Sequence, residues 1–351
     1  MDIHTPLMHS AYKKKIRVAY MLVLVLLASL ALLATSVIYT KQVAFDMLWY
    51  QTPSTANQQY TNTPFPIGVH PADKSIVEKP GVNTFLQDKL VVNKPQRPAD
   101  NTGNWMRHII TKLAQLDWYQ NLASPTGRIL IINPGARKEE VVHNFSKILN
   151  WDTEMEMTFQ SLVVSIVPAM ADGKFYPTQY LVGKDTTPEE VADIITQRFN
   201  SEIATRYTAD TQRLLPLDDA LVIASLLERE AYDFTDMREI SGIIWNRLFI
   251  DMNLQIDATL QYAKGTNSAS TWYPPVRPDD KYIDSPFNTY ANKGLPPAPI
   301  GSPSAAAVLA ALNPIQTNCI FYFHDKNSQF HCSETYKEHV RLLKEYYGQG
   351  K

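Results

Sequence analysis

What this chain does without narrows its chemistry. It has no HExxH or CxxC spacing, so neither a resident metal nor a cofactor is expected. GxSxG, the P-loop and GxGxxG are missing too, and residues 40–128 show no internal repeat. Charge of one sign is also lacking. Lys and Arg number 33 against 35 Asp and Glu, a net charge of −2, which carries no general signal for nucleic acid or an acidic polymer. Cysteine is nearly absent, with two residues, Cys319 and Cys332, in "CIFYFHDKNSQFHC". The polar "DKN" between aromatic runs reads as a hairpin turn that can bring the two thiols together; two buried thiols that never meet is the alternative.

What is present begins at the N-terminus. "KKKIR" (Lys13 to Arg17) precedes an uncharged run from Val18 to Tyr39. As a helix that run is about 33 Å long, enough for a hydrocarbon core of about 30 Å. A cleaved signal peptide would have a shorter apolar stretch ending in small residues. The reading is a retained membrane anchor at 18–39, with residues 1–17 cytoplasmic by the positive-inside rule and the remainder outside.

The chain of 351 residues has room for two domains. Residues 40–128 read as irregular, opening with the solvated linker "YQTPSTANQQYTNTPFP". From 129 the pattern sharpens. Arg128 to Ile132 is a strand, Asn133-Pro134-Gly135 a turn, and Lys138 to Leu149 an amphipathic helix. "FYPTQYLV" is strand-like. Thr187, Pro188 and Glu190 open a helix with a capping box. "LDDALVIASLLEREA" and "DMREISGIIWNRLF" are two more helices, the second with Asp236 as its cap and Glu239 three residues on. Asp257 is placed to cap a short helix. "SAAAVLAAL", the strand "IFYF" and a last helix capped by Thr335 and Glu338 close the chain. The expected fold class is α+β, with a mainly helical domain at 129–351 and short strands.

Within "LLEREAYDF" two glutamates lie two residues apart. On a helix their side chains point about 200° from each other, so Glu228 and Glu230 cannot converge on one bond. Behind Glu230 lie Leu227, Leu226 and Ile223, an apolar wall that disfavours the charged carboxylate and suits a general acid. Behind Glu228 lie Ser225, Ala224 and Leu221. A pair of helix-end glutamates bridged to Arg229, Arg238 or Arg247 is the plainer reading. His324, His331 and His339 crowd the C-terminus without metal-ligand spacing. The loop "SPFNTY" offers Ser285, Asn288, Thr289 and Tyr290, polar groups with an aromatic ring of the kind that holds sugar polymers.

Together, "ASLLERE", "IIWNRLFIDMNLQIDATLQYA", "SPFNTYANKGLPPAPIGSPSAAAVLAALNP" and "TYKEHV" resemble the MltG/YceG-like family of membrane-anchored murein transglycosylases. The resemblance covers about residues 129 to 343. It implies that Glu230, the second acid of Glu228-Arg229-Glu230, is catalytic, acting as acid and then as base. It also implies that Gln255, Asp257, Asn288 and Tyr290 form or support a substrate cleft, with Glu228, Asn246 and Arg247 in supporting roles. Arg247, on the buried side of its helix, is expected to pair with an acid. A small α/β, LysM-like region is implied as well, matched poorly by residues 40–128. The implied partners are peptidoglycan glycan strands, the inner membrane and peptidoglycan synthases, with no nucleic acid. Two rivals stay open: a muramidase using water positioned by Asp257 or Asp284, and a non-catalytic glycan-binding scaffold.

Overall fold

The computed structural model describes residues 19–32, 63–85, 127–165, 172–265 and 272–348. The chain divides into two compact units, Met1–Gln58 with Pro95–Pro125, and Gln59–Lys94 with Thr126–Lys351. The described part of the first unit is a helix at residues 19–32 with its apolar side chains exposed. The remainder of the expected span at 18–39 lies outside the described residues. No helix among the described residues is long and apolar enough to cross a membrane.

The second unit is α+β. It contains two separate apolar cores. The first to form along the chain is a strand-helix-helix-strand unit. Strand β1 (Gly127–Ile131) pairs antiparallel with β2 (Gln179–Gly183), Ile129 opposite Leu181. Helices α1 (Lys138–Leu149) and α2 (Thr153–Ser165) lie between them in sequence. Leu130, Val141, Phe145, Phe159, Phe175 and Tyr180 share its core with Val191 and Ile195 of α3 (Pro188–Glu202). The Thr187–Glu190 capping box opens α3 as the sequence predicts, with Thr187 Oγ1 accepting from Glu190 N and Glu190 accepting from Thr187 N.

The larger core is helical. Helices α4 (Leu217–Glu230), α5 (Phe234–Phe249), α6 (Asp257–Lys264) and α7 (Ala305–Leu312) surround it. The alanines of α7 allow close approach to α4 and α5: Ala307, Ala310 and Ala311 are fully buried. At Gly242 in α5 a side chain would meet the Ile315 carbonyl oxygen at 2.2 Å, so glycine is required by space. A hairpin, β3 (Phe321–His324) with β4 (Phe330–Ser333), and helix α8 (Tyr336–Tyr347) complete the body. Cys319 and Cys332 are bonded, with Cα atoms 5.8 Å apart, which decides between the two alternatives for the thiols.

Three local expectations are corrected. Asp233, not Asp236, caps α5, because its carboxylate accepts from Asp236 N; Asp236 is then free to accept from Tyr232 N and His324. Asp257 makes no cap: Ile256 holds that position, and Asp257 is the first helical residue with its side chain turned to Tyr290. Residues 63–85, within the stretch read as irregular, are instead packed on the body. Phe65, Val69 and Val82 enter the helical core, and backbone bonds run from Phe65 N to Arg206 O and from Gly68 N to Leu312 O. Apolar residues spaced irregularly carry no periodic signal, and only "NTFLQDKLVV", whose start meets the short helix Val82–Phe85, stands out in this segment as a candidate element.

Candidate active site

Helix α4 ends at Glu230, and Ala231 leaves the helix in extended conformation. The residues before that end are buried without interruption from Ala220 through Leu227, Ser225 being the one polar side chain among them. A helix so fixed delivers its last side chain to a defined place. Glu230 is partly buried there, and its Oε2 accepts from the Tyr322 hydroxyl at 2.8 Å. It also faces the start of α6, near the Ala258 N–H. That N–H is one of the unpaired donors of a helix N-terminus.

Burial of the Glu230 carboxyl pushes its pKa above the usual range. The Tyr322 hydrogen bond opposes this, the nearby charge of Asp257 adds to it, and the Ala258 N–H and His324 oppose it. The balance is a carboxyl that keeps its proton to higher pH than a free glutamate. This is the environment the apolar wall behind Glu230 predicted.

Glu228 leaves the same helix on the opposite side and does something else. Its Oε2 accepts from Ser304 N at 2.9 Å and Ser304 Oγ at 2.8 Å. Ser304 is itself the N-cap of α7, accepting from Ala307 N. Arg229 lies between the two glutamates in sequence and places its guanidinium 3.7 Å from the centroid of the Tyr273 ring. The acids are thus separate, as the helical geometry requires, and neither is bridged to Arg238 or Arg247 in the described structure.

The other expected site residues divide into surface and support. Gln255 is exposed, at a backbone φ of 52°, with its N–H bonded to Thr289 O. Asp257 is exposed and accepts from the Tyr290 hydroxyl at 2.6 Å. The Tyr290 ring carries the Lys281 ammonium 4.9 Å from its centroid. Asn288, expected among substrate-binding residues, is 0% exposed. Its Nδ2 donates to Lys281 O and Ile283 O, and its Oδ1 accepts from Tyr290 N and Ala291 N. With its amide committed to the loop, Asn288 braces the segment that carries Tyr290 rather than facing outward.

Arg247 also departs from expectation. Its guanidinium donates to the carbonyls of Ile320 and Leu254, not to an acid. Asn246 donates to Thr317 O at 2.7 Å and Cys319 O at 3.0 Å. The adjacent pair therefore ties α5 to the start of the β3–β4 hairpin. Backbone carbonyls were the unconsidered partners, and they leave no mark in a sequence.

Tyr322 and His324 are the residues that sequence reasoning missed around Glu230. Both lie on β3, far from Glu230 in the chain. The only signal was their alternation in "FYFH", which puts both on one face of a strand. The histidines are individually engaged: His324 with Asp236 at 2.8 Å and His331 with Asp325 at 3.1 Å. No group of three or more His, Cys, Asp or Glu able to hold a metal occurs among the described residues.

Known proteins resemble this chain in sequence and in fold. An endolytic murein transglycosylase of Bacillus subtilis (strain 168) is 31% identical over 176 residues, which is 50% of this chain and 48% of that protein. The endolytic murein transglycosylase of Streptococcus pneumoniae serotype 2 is 28% identical over 176 residues, 50% of this chain and 32% of that protein. The chain thus spans less than half the length of these curated relatives. A crystal structure of a yceG-like protein from Listeria monocytogenes superposes with a TM-score of 0.52 at 25% identity, over 70% of this chain and 82% of that one. The YceG-like family matches residues 101–345, well over half of the sequence, and this chain belongs to it.

Proposed function

We propose that this chain is an endolytic lytic transglycosylase of peptidoglycan, with Glu230 as its single acid and base. The observation that carries the reading is the partly buried carboxyl at the end of α4. It holds its proton through burial, is fixed by the Tyr322 hydroxyl, and has the Asp257–Tyr290 pair beside it.

The chemistry needs no second acid. Protonated Glu230 gives its proton to the oxygen linking N-acetylmuramic acid to N-acetylglucosamine, and that C–O bond breaks. The muramic C6 hydroxyl attacks C1, and Glu230, now a carboxylate, takes the hydroxyl proton. The product is a 1,6-anhydro end, no water is consumed, and Glu230 is restored. Because the nucleophile belongs to the substrate, the paired carboxylates of most glycosidases are not required. Asp257 is committed to Tyr290, which does not favour it as the holder of an attacking water. Exposed Gln255 and Asp257 and half-buried Tyr290 are the groups for sugar contact, with Asn288 holding the Tyr290 backbone and Glu228 holding the start of α7.

The test uses the full chain in detergent with purified peptidoglycan, beside Glu230→Gln and Glu228→Gln. Released sugars are weighed by mass spectrometry; the anhydro product is one water lighter than the hydrolysis product. Anhydro ends that vanish in Glu230→Gln but persist in Glu228→Gln support the reading. Reducing ends from the unmutated chain would replace it with a muramidase.

The uncharged run at 18–39 after a basic cluster supports a single-pass anchor in the inner membrane, with the catalytic body outside. Such an anchor would restrict cleavage to glycan emerging near the membrane, and so end strand elongation close to the peptidoglycan synthases. Release of the body by protease added to spheroplasts tests the topology. Unchanged strand lengths after gene deletion would sink the role in elongation. The implied LysM-like module we assign to the strand-helix-helix-strand unit of β1, α1, α2 and β2, not to residues 40–128. Its small size, its own core and its place before the catalytic helices support this. Peptidoglycan retention by variants altered on that unit's surface tests it.

A further inference from the structure

Tyr322 is the side chain that holds Glu230 from across the fold, and it sits on a strand secured by several independent ties. Within the hairpin, Tyr322 is the register partner of Cys332. Cys332 is bonded to Cys319, three residues before Tyr322 on the approach to the same strand. The approach is further held to α5 by Asn246, through Thr317 O and Cys319 O, and by Arg247, through Ile320 O at 2.6 Å. The Tyr322 ring stacks on Phe330 with centroids 6.1 Å apart. Every tie converges on the few residues that place one hydroxyl on one carboxylate oxygen.

We propose that Tyr322 is a positioning residue for Glu230, and that the Cys319–Cys332 disulfide, by fixing the strand that bears it, makes the state of Glu230 depend on the oxidation of that pair. The proposal rests on the catalytic reading of Glu230 for its consequence in turnover, but not for its geometry. A hydrogen bond to a carboxylate is among the stronger kinds because the acceptor is charged, and its strength falls steeply when the donor moves. The disulfide closes a loop of 13 residues in sequence separation, so breaking it removes the covalent tie and leaves the strand to a ladder of two four-residue strands and to its bonds with Asn246, Arg247 and Asp236. A two-stranded ladder of that length is marginal by itself, so the strand is then held less tightly. Reduction by a dithiol takes two electrons and two protons to the two sulfurs, leaving two thiols here and a disulfide in the reductant.

The groups that face Glu230 are known from each element packed against it. Asp257 and the Ala258 N–H come from α6, Tyr322 and His324 from β3, Arg247 from α5, and Tyr290 from the loop before α7. Of these, Tyr322 is the donor bonded directly to its side-chain oxygen. Loss of that donor removes more stabilisation from the carboxylate form than from the acid form, whose oxygen is the weaker acceptor. The Glu230 titration must then move to higher pH.

The full chain, labelled with 13C at glutamate carboxyls, is titrated by NMR in detergent, and the Glu230 signal is identified by its loss in Glu230→Gln. Tyr322→Phe is expected to raise the midpoint. Dithiothreitol added to the unmutated chain, with two thiols counted by a colorimetric reagent, is expected to raise it too. Cys319→Ser/Cys332→Ser should match the reduced chain and no longer respond to reductant. In the peptidoglycan assay, Tyr322→Phe should lower kcat about 10- to 100-fold with KM little changed, and the alkaline limb of its pH profile should move upward. A purely structural role would lower activity and leave the limb in place. A titration unmoved both by reduction and by Tyr322→Phe, in protein whose melting shows it folded, overturns the proposal. If Tyr322→Phe fails to fold, an unmoved midpoint in the reduced unmutated chain overturns it alone. A chain that releases no anhydro product yet shows both titration shifts would remove the transglycosylase reading and leave the clamp standing.

Discussion

The two sides of helix α4 carry chemically identical side chains and put them to opposite uses. On one side Glu228 accepts two hydrogen bonds from Ser304 and secures the first turn of α7. On the other, Glu230 accepts from the Tyr322 hydroxyl and faces the N-terminus of α6. Both carboxyls have raised pKa values, and burial is the first cause in each case. A raised pKa therefore does not distinguish the two. What distinguishes them is the partner: backbone and N-cap of a buried helix for Glu228, groups at a partly open surface for Glu230. The difference teaches that titration alone marks burial, and that function is read from what the carboxyl can still reach.

The sharpest break of this comparison is a matched pair of amides. Glu230→Gln is expected to cut anhydro-product release by about 10²- to 10⁴-fold, the usual worth of a general acid–base group. Glu228→Gln in the same assay should stay within several-fold of the unmutated chain. A next test asks whether the cleft side depends on its hidden support. Asn288→Ala removes two donors and two accepted bonds from a fully buried site, and should cost about 2–4 kcal/mol of folding stability by thermal unfolding. Smaller again is Glu228→Ala, which strips α7 of the group holding its N-cap. About 1–2 kcal/mol is expected, with kcat nearly unchanged.

The smallest effect is a slope. A carboxyl whose folded pKa exceeds its unfolded value keeps its proton longer when folded. It therefore favours folding at low pH, and that contribution is lost as pH rises through the folded value. For both glutamates the loss begins near the ordinary value of 4.5 and continues upward. Denaturant melts between pH 4 and 8 should show less decline in Glu230→Gln than in the unmutated chain, by no more than about 1.4 kcal/mol per pH unit. An unchanged slope would mean that Glu230 is solvated like a surface residue.

Local chemistry was legible and distant chemistry was not. The Thr187–Glu190 box and the Thr335 cap with Glu338 N are contacts over three residues, and the sequence displays both partners together. The α5 cap was misplaced from Asp233 to Asp236 because both are acids one helical turn apart, and only the backbone decides which precedes the helix. The division between Glu228 and Glu230 followed from helical periodicity. Tyr322 did not, because its bond to Glu230 joins residues 92 apart. Arg247 was expected to seek an acid, since a buried cation needs compensation; two carbonyl oxygens supply it instead. The segment at 63–85 was hidden for a similar reason, as its anchors are backbone groups of Arg206 and Leu312.

The junction between the two cores has a consequence in time. Gly135 N donates to Ser302 O at 2.7 Å, Ser302 N returns a bond to Ala136 O at 2.8 Å, and Tyr273 bonds Gly135 O at 3.0 Å. At Gly301 any side chain would meet the Gly135 carbonyl oxygen at 2.6 Å, so the two backbones lie in direct contact. The Tyr273 bond spans 138 residues, whereas the capping boxes span three. Closing so long a loop costs chain entropy before any contact repays it. The junction should therefore be among the last features to lock as the chain folds, after the helices on either side are formed. Pulse-labelled hydrogen exchange during refolding would record this as protection of the Gly135 and Ser302 amides arriving after that of Leu226 and Phe145, and simultaneous protection would mean that the two cores fold as one.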